Sequence, residues 1–547
     1  METVITSTAL WEDFDPSAEP LDVNVLKTEE FDGIVIKTLF FTGRTVADGK
    51  TRVLAKVGYK IGKGAKPSVL LIDNYKKPVD AEELKFWANN GFVAMAVDFA
   101  GRCEKGPYTL YPNSLDYCNR DVAKSYFFVE ESAKQNKIYE YALNCMRAVT
   151  YLLEEEKAKS VSVITVKKGA AVGVVVLGTD KRITNGAVVF GSLHREFPPY
   201  EAEEEQTLNE MSDEALRQRM EYEQKRQIWT AGIAPQNYAM QIKVPVYLIV
   251  SANSPHVSST HSNQMYYRLN DDSRMLLLPL TMDYITDEYS QCIVKWCKGN
   301  TVEENVDICP YSDASGDNFV KITTNLPHSK IDLWYSRNPQ SSCRNWVKAP
   351  LKKTEDGFIA ELDVYEQNST AIAFALVKGV VDITTALCEI SVNRPKKVSV
   401  PTRSLCTCNG DGNLVSIARG MGWHCKKGNV EYCKGYLDIY GAKSTGLATF
   451  AINDPAVRRN DGFTVSFDVS CNVPQTLWAF VMSDFGGENT EYKQAVHLIG
   501  DGKWQRVTLE GTDFHSPDGK QMPEDTSVDM FAVIADEEFL INNIFLV

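Results

Sequence analysis

The stretch Val161-Ser-Val-Ile-Thr-Val-Lys-Lys-Gly-Ala-Ala-Val-Gly-Val-Val-Val-Leu-Gly178 reads as a short buried strand, a tight turn and a helix of small residues. That layout presents a serine nucleophile in the pentad G-x-S-x-G, on a sharp turn from strand to helix. Here the aligned pentad is Thr165-Val166-Lys167-Lys168-Gly169, so Lys167 takes the serine's place and Thr165 that of the first glycine. Serine chemistry needs a hydroxyl, a base to take its proton and an acid to orient the base. An ammonium at the tip of the turn cannot attack an ester in that way. The chain keeps a turn built for a nucleophile and has lost, or replaced, the nucleophile itself.

In open α/β sheets the reactive groups gather beyond the carboxyl ends of the strands. Those ends supply Asp73-Asn74-Tyr75, where an oxyanion-hole amide would lie, and Asp98-Phe-Ala-Gly-Arg102 with Tyr108 further on. They also supply Lys167 and Lys168, then Ser192 with His194. Asn253, Ser254 and His256 stand near the place of a triad acid, and Asp283 near that of a triad histidine. Neither Asp283 nor Lys167 can act as an imidazole near neutral pH at ordinary pKa values. The expectation is an ion pair between them, which would make the burial of both charges tolerable. Other chemistries stay open: Ser192 or Ser254 beside His194 or His256, and Lys167 as a nucleophile or base beside a second lysine. The blander readings are Ser192 as a turn residue, the two histidines as satisfied polar groups, and Lys167 as protonated and salt-bridged.

The elements that must position these groups follow from hydrophobic patterning. Residues 31–300 alternate strand-like apolar runs with helical segments, which points to a mostly parallel sheet covered on both faces. Strands are expected at Thr51–Tyr59, Ser68–Asp73, Phe92–Asp98, Ser160–Val166, Gly186–Phe190, Pro245–Ala252 and Arg274–Pro279. Helices are expected at Ala81–Asn89, Lys137–Ala158, Ala170–Leu177 and within the charged stretch Glu201–Trp229. That stretch, in residues 201–230, reads either as a helical lid over the strand ends or as a surface helix pair. From residue 301 to 400 period-two runs such as Lys330–Tyr335 and Phe358–Val364 predict a β-sandwich of immunoglobulin-like size. After a linker at Arg394–Pro401, residues 401–547 predict a jelly-roll sandwich with strands including Tyr436–Tyr440, Gly446–Ala451, Phe531–Ile534 and Phe539–Phe545. The expected fold is an α/β-hydrolase-like, mostly parallel sheet in residues 1–300 followed by these two all-β domains.

With 547 residues the chain is too long for one core. Its 58 basic and 72 acidic residues leave a net charge of −14. That balance argues against nucleic acid or an anionic membrane as a partner, because both need a basic face. The first 22 residues lack a signal-peptide pattern, and no apolar run reaches the roughly 18 residues of a membrane span. A cytoplasmic location is expected, or a secreted one if a leader was removed. Thirteen scattered cysteines predict reduced thiols rather than a disulfide framework. Cys406 and Cys408 with Cys425 and Cys433 have poor spacing for zinc, so no metal is expected.

Several motifs resemble acetylxylan-esterase-like and dienelactone-hydrolase-like members of the α/β-hydrolase superfamily. They are Trp11-Glu-Asp-Phe-Asp-Pro16, Glu19-Pro-Leu21, Asp98-Phe-Ala-Gly-Arg102, Tyr108-Thr-Leu-Tyr-Pro112, Gly178-Thr-Asp-Lys-Arg-Ile183 and Ala231–Ala239. The resemblance spans roughly residues 1–300. It implies removal of acyl groups from carbohydrates by a serine triad without a cofactor, yet this chain departs from that pattern at all three triad positions. Phe463–Val469, Gly502-Lys-Trp-Gln-Arg-Val-Thr-Leu509 and Phe539–Phe545 resemble carbohydrate-binding jelly-roll modules, which implies sugar faces laid on aromatic rings. Trp423, Trp478 and Tyr492 are the candidates; the blander reading makes Trp504, and Trp478 as well, core residues. Two functions follow as expectations. One is a glycan-binding hydrolase relative with a degenerate triad. The other is an active carbohydrate esterase, or other glycan-processing enzyme, using Lys167, Asp283, His194 and His256. An oligosaccharide, polysaccharide or acylated sugar is the expected ligand in both.

Overall fold

The computed structural model describes residues 5–62, 64–73, 81–99, 101–102, 106–120, 124–200, 212–284, 286–299, 306–312, 318–338, 342–365, 370–392, 404–406, 413–418, 424–425, 430–457, 462–485 and 487–547. The chain divides into two compact units. The first comprises Met1–Ile249, Gln264–Arg274 and Ile293–Asn300, and the second Val250–Asn263, Met275–Cys292 and Thr301–Val547.

The first unit contains β1 (Asn24–Phe31), β2 (Ile34–Val46), β3 (Gly49–Lys60), β4 (Pro67–Ile72), α1 (Ala81–Asn89), β5 (Val93–Val97), α2 (Lys137–Glu154), β6 (Ser160–Val166), α3 (Ala170–Thr179), β7 (Asn185–Val189), α4 (Asp213–Gly232), α5 (Pro235–Ala239) and, as far as Ile249, β8 (Val246–Ser251). The sheet order is β1-β2-β3-β5-β4-β6-β7-β8. The pairings from β1 to β5 are antiparallel, and β5, β4, β6, β7 and β8 run parallel. β4 and β6 are apolar and buried on both faces, as a sheet between two helical layers requires. The strands expected from Thr51 onward are present with ends shifted by a residue or two. The β1–β2 hairpin was not expected. Its turn, Asp32 (φ 51°) and Gly33 (φ 76°), is the Asp-Gly pair that a two-residue hairpin favours.

α2 starts at Asn136, whose side chain accepts the Ile138 N–H at 2.8 Å. From its buried face Arg147 donates to the carbonyls of Thr42 (3.0 Å), Pro16 (2.5 Å) and Pro20 (3.0 Å). Glu140, fully buried on the same helix, pairs with Arg44 of β2. Burial pushes its carboxyl up to about 7, against the pull of Arg44. α4 confirms a helix within the charged stretch, although residues 201–211 lie outside the described ones. Ser212 caps it by accepting the Ala215 N–H at 3.2 Å, and it buries only its last turns. There Trp229 meets Phe127 and Phe197 at ring-centroid distances of 5.0 and 5.6 Å.

In the second unit β9 (Arg274–Leu278) contributes Met275–Leu278 to a path through Ile383–Thr384, Thr370–Val377, Ile331–Ser336 and Val347–Ala349. A separate four-stranded sheet orders Asp307–Ser312, Asn318–Thr323, Gly357–Glu361 and Lys352–Lys353. The two share a core that includes Ile322, Leu333, Phe358 and Ala373. A ten-stranded sheet built around Tyr440–Thr449, Met530–Leu546 and Thr464–Ser470 follows, with its own core at Phe467, Val481, Phe531 and Ile541. Phe531–Ile534 and Phe539–Phe545, expected as two strands, belong to one. Tyr436–Tyr440, expected as a strand, is mostly a turn between Glu431–Lys434 and Tyr440–Thr449. Leu437 (φ 60°) and Asp438 (φ 56°) are both left-handed and reverse the chain. The linker Arg394–Pro401 lies outside the described residues except for its neighbours. Among the described residues no helix is long and apolar enough to cross a membrane, and no group of three or more His, Cys, Asp or Glu could hold a metal ion.

Candidate functional site

The turn after β6 is a tight one. β6 stays extended to Val166, Lys167 adopts φ 49°, and one 3-10 turn, Lys167–Gly169, feeds directly into α3. A left-handed conformation costs a non-glycine residue roughly 1–2 kcal/mol, so close packing must hold the turn. A Cβ on Gly169 would stand 2.2 Å from the carbonyl oxygen of Ile72 and 2.6 Å from that of Asp73. One on Gly191 would stand 2.2 Å from the Cβ of Ala170. Thr165 is buried where a glycine is usual, and it fits because Gly173 on α3 has no side chain. A Cβ there would lie 2.6 Å from that of Thr165. Lys167 itself is half-buried. Within the first unit, among the described residues, it makes no ion pair or side-chain hydrogen bond.

The triad-acid and triad-histidine positions fall in the second unit, and their side chains contact each other. Ser254 donates its hydroxyl to Asp283 Oδ2 at 3.0 Å, and the Asp283 N–H donates to Ser251 Oγ at 2.6 Å. Ser254 Oγ also accepts the N–H groups of His256 (3.1 Å) and Val257 (3.0 Å). Asp283 is left-handed at φ 50° and buried. Its neighbour Met282 is fully enclosed with Cys343, Phe450, Phe485 and Met530. Asn253, also fully buried, donates its amide to the carbonyls of Arg344 (2.8 Å) and Ser342 (3.4 Å). That makes it a brace for the chain rather than a group that orients a base. Arg344 in turn donates to Ser259 Oγ at 2.9 Å and Thr260 Oγ1 at 3.0 Å. Its burial pulls the guanidinium down to about 10. Lys167 and Asp283 thus belong to different units, each described by itself.

A mixed sheet with a parallel centre and a strained strand-to-helix turn at Lys167 leave one fold for the first unit. That fold is α/β-hydrolase-like. No family model matches the chain, and no curated protein matches it. Solved structures do. An acetyl xylan esterase from Paenibacillus sp. R4 is 17% identical, with a TM-score of 0.38, over 54% of this chain and 92% of its own. Acetyl xylan esterase 1 from Thermoanaerobacterium sp. JW/SL YS485 is 12% identical, with a TM-score of 0.37, over 54% and 95%. A dienelactone hydrolase-like promiscuous phosphotriesterase from metagenomic libraries is 16% identical, with a TM-score of 0.31, over 47% and 85%.

Several of the remaining strand-end residues make contacts within the chain. Ser192 Oγ accepts the His194 N–H at 3.1 Å and donates back to the His194 carbonyl, which makes Ser192 a turn residue. His194 Nε2 lies 3.9 Å from Glu196, and His256 is exposed. Asp98 accepts the Thr109 N–H at 2.8 Å and Arg102 pairs with Asp116 at 2.6 Å, so both tie down the loop that carries Tyr108. Asp73 ends β4, half-buried, while Asn74 and Tyr75 lie outside the described residues. The resemblance motifs also have structural work. Trp11 donates to Tyr238 at 3.1 Å, and Arg182 holds Asp180 at 2.6 Å and Thr150 at 2.9 Å.

The aromatic residues expected to form a sugar platform do not form one together. Trp478 opposes Ala495, and Tyr492 opposes Val481. Opposed residues share a face and successive residues alternate, so Trp478 and Tyr492 point to opposite faces. Tyr492 packs on the core, while Trp478 is half-buried with Lys493 Nζ 5.3 Å from its ring. Trp504, read as a core residue, is half-buried and outside the core. It lies over Gly435 and Gly441 and donates to the Tyr436 carbonyl at 2.9 Å. Trp423 lies outside the described residues. Ser251, Ser342 and Arg344 were not expected at the site. They come from separate stretches of chain, and no local pattern marks them.

Proposed function

We propose that this chain is a carbohydrate-associated α/β-hydrolase relative with a degenerate triad, which binds glycans and does not cleave their esters as a serine hydrolase does. The observation that carries the reading is Lys167, which occupies the elbow in the strained conformation a serine nucleophile would have. Support also comes from the acid and histidine positions, where Ser254 and Asp283 bond to each other. Ser192, the other serine at a neighbouring strand end, is engaged in its own turn. In this reading residues 301–400 and 401–547 are two appended β domains, the second a carbohydrate-binding module with Trp478 as its described sugar contact.

The test is hydrolysis of p-nitrophenyl acetate and of acetylated xylo-oligosaccharides by the wild type and by Lys167→Ala. The expected result is no turnover above the variant's background, together with calorimetric binding of an oligosaccharide. Turnover that Lys167→Ala removes would establish the opposite: an active carbohydrate esterase, or other glycan-processing enzyme, working through Lys167.

A further inference from the structure

We infer that Lys167 makes the elbow a receptor for a carboxylate, so that the glycan bound there is an acidic one, such as a uronic-acid oligosaccharide. This rests on the reading above, in which no ester is cleaved at the elbow. The turn does not need a side chain at 167. Glycine would adopt φ 49° without steric cost, whereas lysine is strained there.

The side chain kept at that cost belongs to a half-buried lysine that has no acid against it among the described residues of its own unit. Asp73 approaches the elbow through its main-chain carbonyl, the group that a Cβ on Gly169 would meet. Among the described residues, four other partly or fully buried cations of the first unit are matched. Lys37 has Glu156, Arg44 has Glu140, Arg182 has Asp180, and Arg147 has three carbonyls. Lys168, exposed beside Lys167, adds a second positive charge in a chain whose net charge is −14. An uncompensated ammonium is complementary to an anion. A neutral sugar offers it a hydroxyl. A carboxylate offers a charge-assisted hydrogen bond, worth roughly 1.5–3 kcal/mol, or about tenfold to a hundredfold in affinity.

The experiment is calorimetric titration of the full chain at low salt with xylotetraose, trigalacturonate and glucuronate, using wild type, Lys167→Met and Lys167→Arg. Thermal melts confirm that each variant is folded. Trigalacturonate is expected to bind the wild type at least about tenfold more tightly than xylotetraose. Lys167→Met should abolish that preference, Lys167→Arg should keep it, and added salt should shrink it. Glucuronate binding as tight as the trimer would overturn the oligosaccharide part. Equal affinity for neutral and acidic oligosaccharides, unchanged in Lys167→Met, would overturn the inference and leave the glycan-binding reading standing. Failure of both xylotetraose and trigalacturonate to bind would overturn both. Ester turnover lost in Lys167→Ala would overturn the non-hydrolytic reading on which the inference rests.

Discussion

The elbow after β6 and the loop after β9 differ from a serine-triad arrangement in different ways. At the elbow the backbone is intact and only the reactive side chain differs. Gly169 and Gly191 leave the room the turn needs, Gly173 makes room for Thr165, and Lys167 stands in the left-handed conformation. In the loop after β9 the side chains themselves have been absorbed into packing. Asp283 bonds Ser254, Asn253 braces the Ser342–Arg344 segment, and Met282 is walled in by residues of the last sheet. The elbow's backbone is therefore held by packing whatever side chain stands at its tip. The positions after β8 and β9 are held by side-chain contacts instead.

The strongest way to break this comparison is Gly169→Ala. The added Cβ would stand 2.2 Å from a main-chain oxygen of β4, and neither partner is a flexible side-chain end. A loss of more than about 4 kcal/mol is expected, read as the disappearance of the cooperative denaturant transition of the first unit. Normal stability in that variant would show that the elbow is loosely packed. Met282→Ala makes the matching test in the second unit. Emptying a fully enclosed methionine site should cost between about 2 and 5 kcal/mol, seen as a lower denaturant midpoint. A change under about 0.5 kcal/mol would mean that the loop after β9 is a surface loop after all.

A titration sharpens the contrast by asking which unit carries the pH dependence. The Glu140 carboxyl is raised from its usual 4.5 to about 7 in the folded chain, first by burial and against Arg44. Between those values the folded state holds more protons than the unfolded one. Its contribution to stability is thus fully present below about pH 4.5 and is lost as pH rises toward 7 and above, by about 3 kcal/mol. Glu140→Gln should flatten that stretch of the stability curve. Asp283→Asn should leave it in place, and a slope that vanishes with Asp283 instead would move the sensitive charge to the second unit.

The elbow was legible because a buried strand, a polar turn and a small-residue helix are contiguous, and each obeys a local rule. The β1–β2 hairpin obeyed one as well, through Asp32 and Gly33, but its long apolar strand masked the two-residue turn. Tyr436–Tyr440 misled for the opposite reason. Its apolar alternation suits a strand, and only the left-handed backbone at Leu437 and Asp438 makes it a turn. The site's other half had no local mark. Ser254 and Asp283 lie 29 residues apart, and Asn253 finds Arg344 from another stretch of chain altogether. Trp478 and Tyr492 are both sugar-contact candidates by residue type, and only strand pairing puts them on opposite faces.

The smallest effect bears most directly on why a lysine stands at the elbow. Lys167→Gly relieves a left-handed side chain, worth roughly 1–2 kcal/mol, but frees the unfolded chain by roughly 0.5–1 kcal/mol. The balance is a stabilisation of about 0.5–1 kcal/mol, read as a small rise in the unfolding midpoint. A contact that holds the Lys167 ammonium in the unliganded chain would reverse the sign, because deleting the side chain would then remove that contact. A net gain in stability with loss of ligand would mean that the lysine is kept against the interest of the fold, as a group that serves a bound molecule would be.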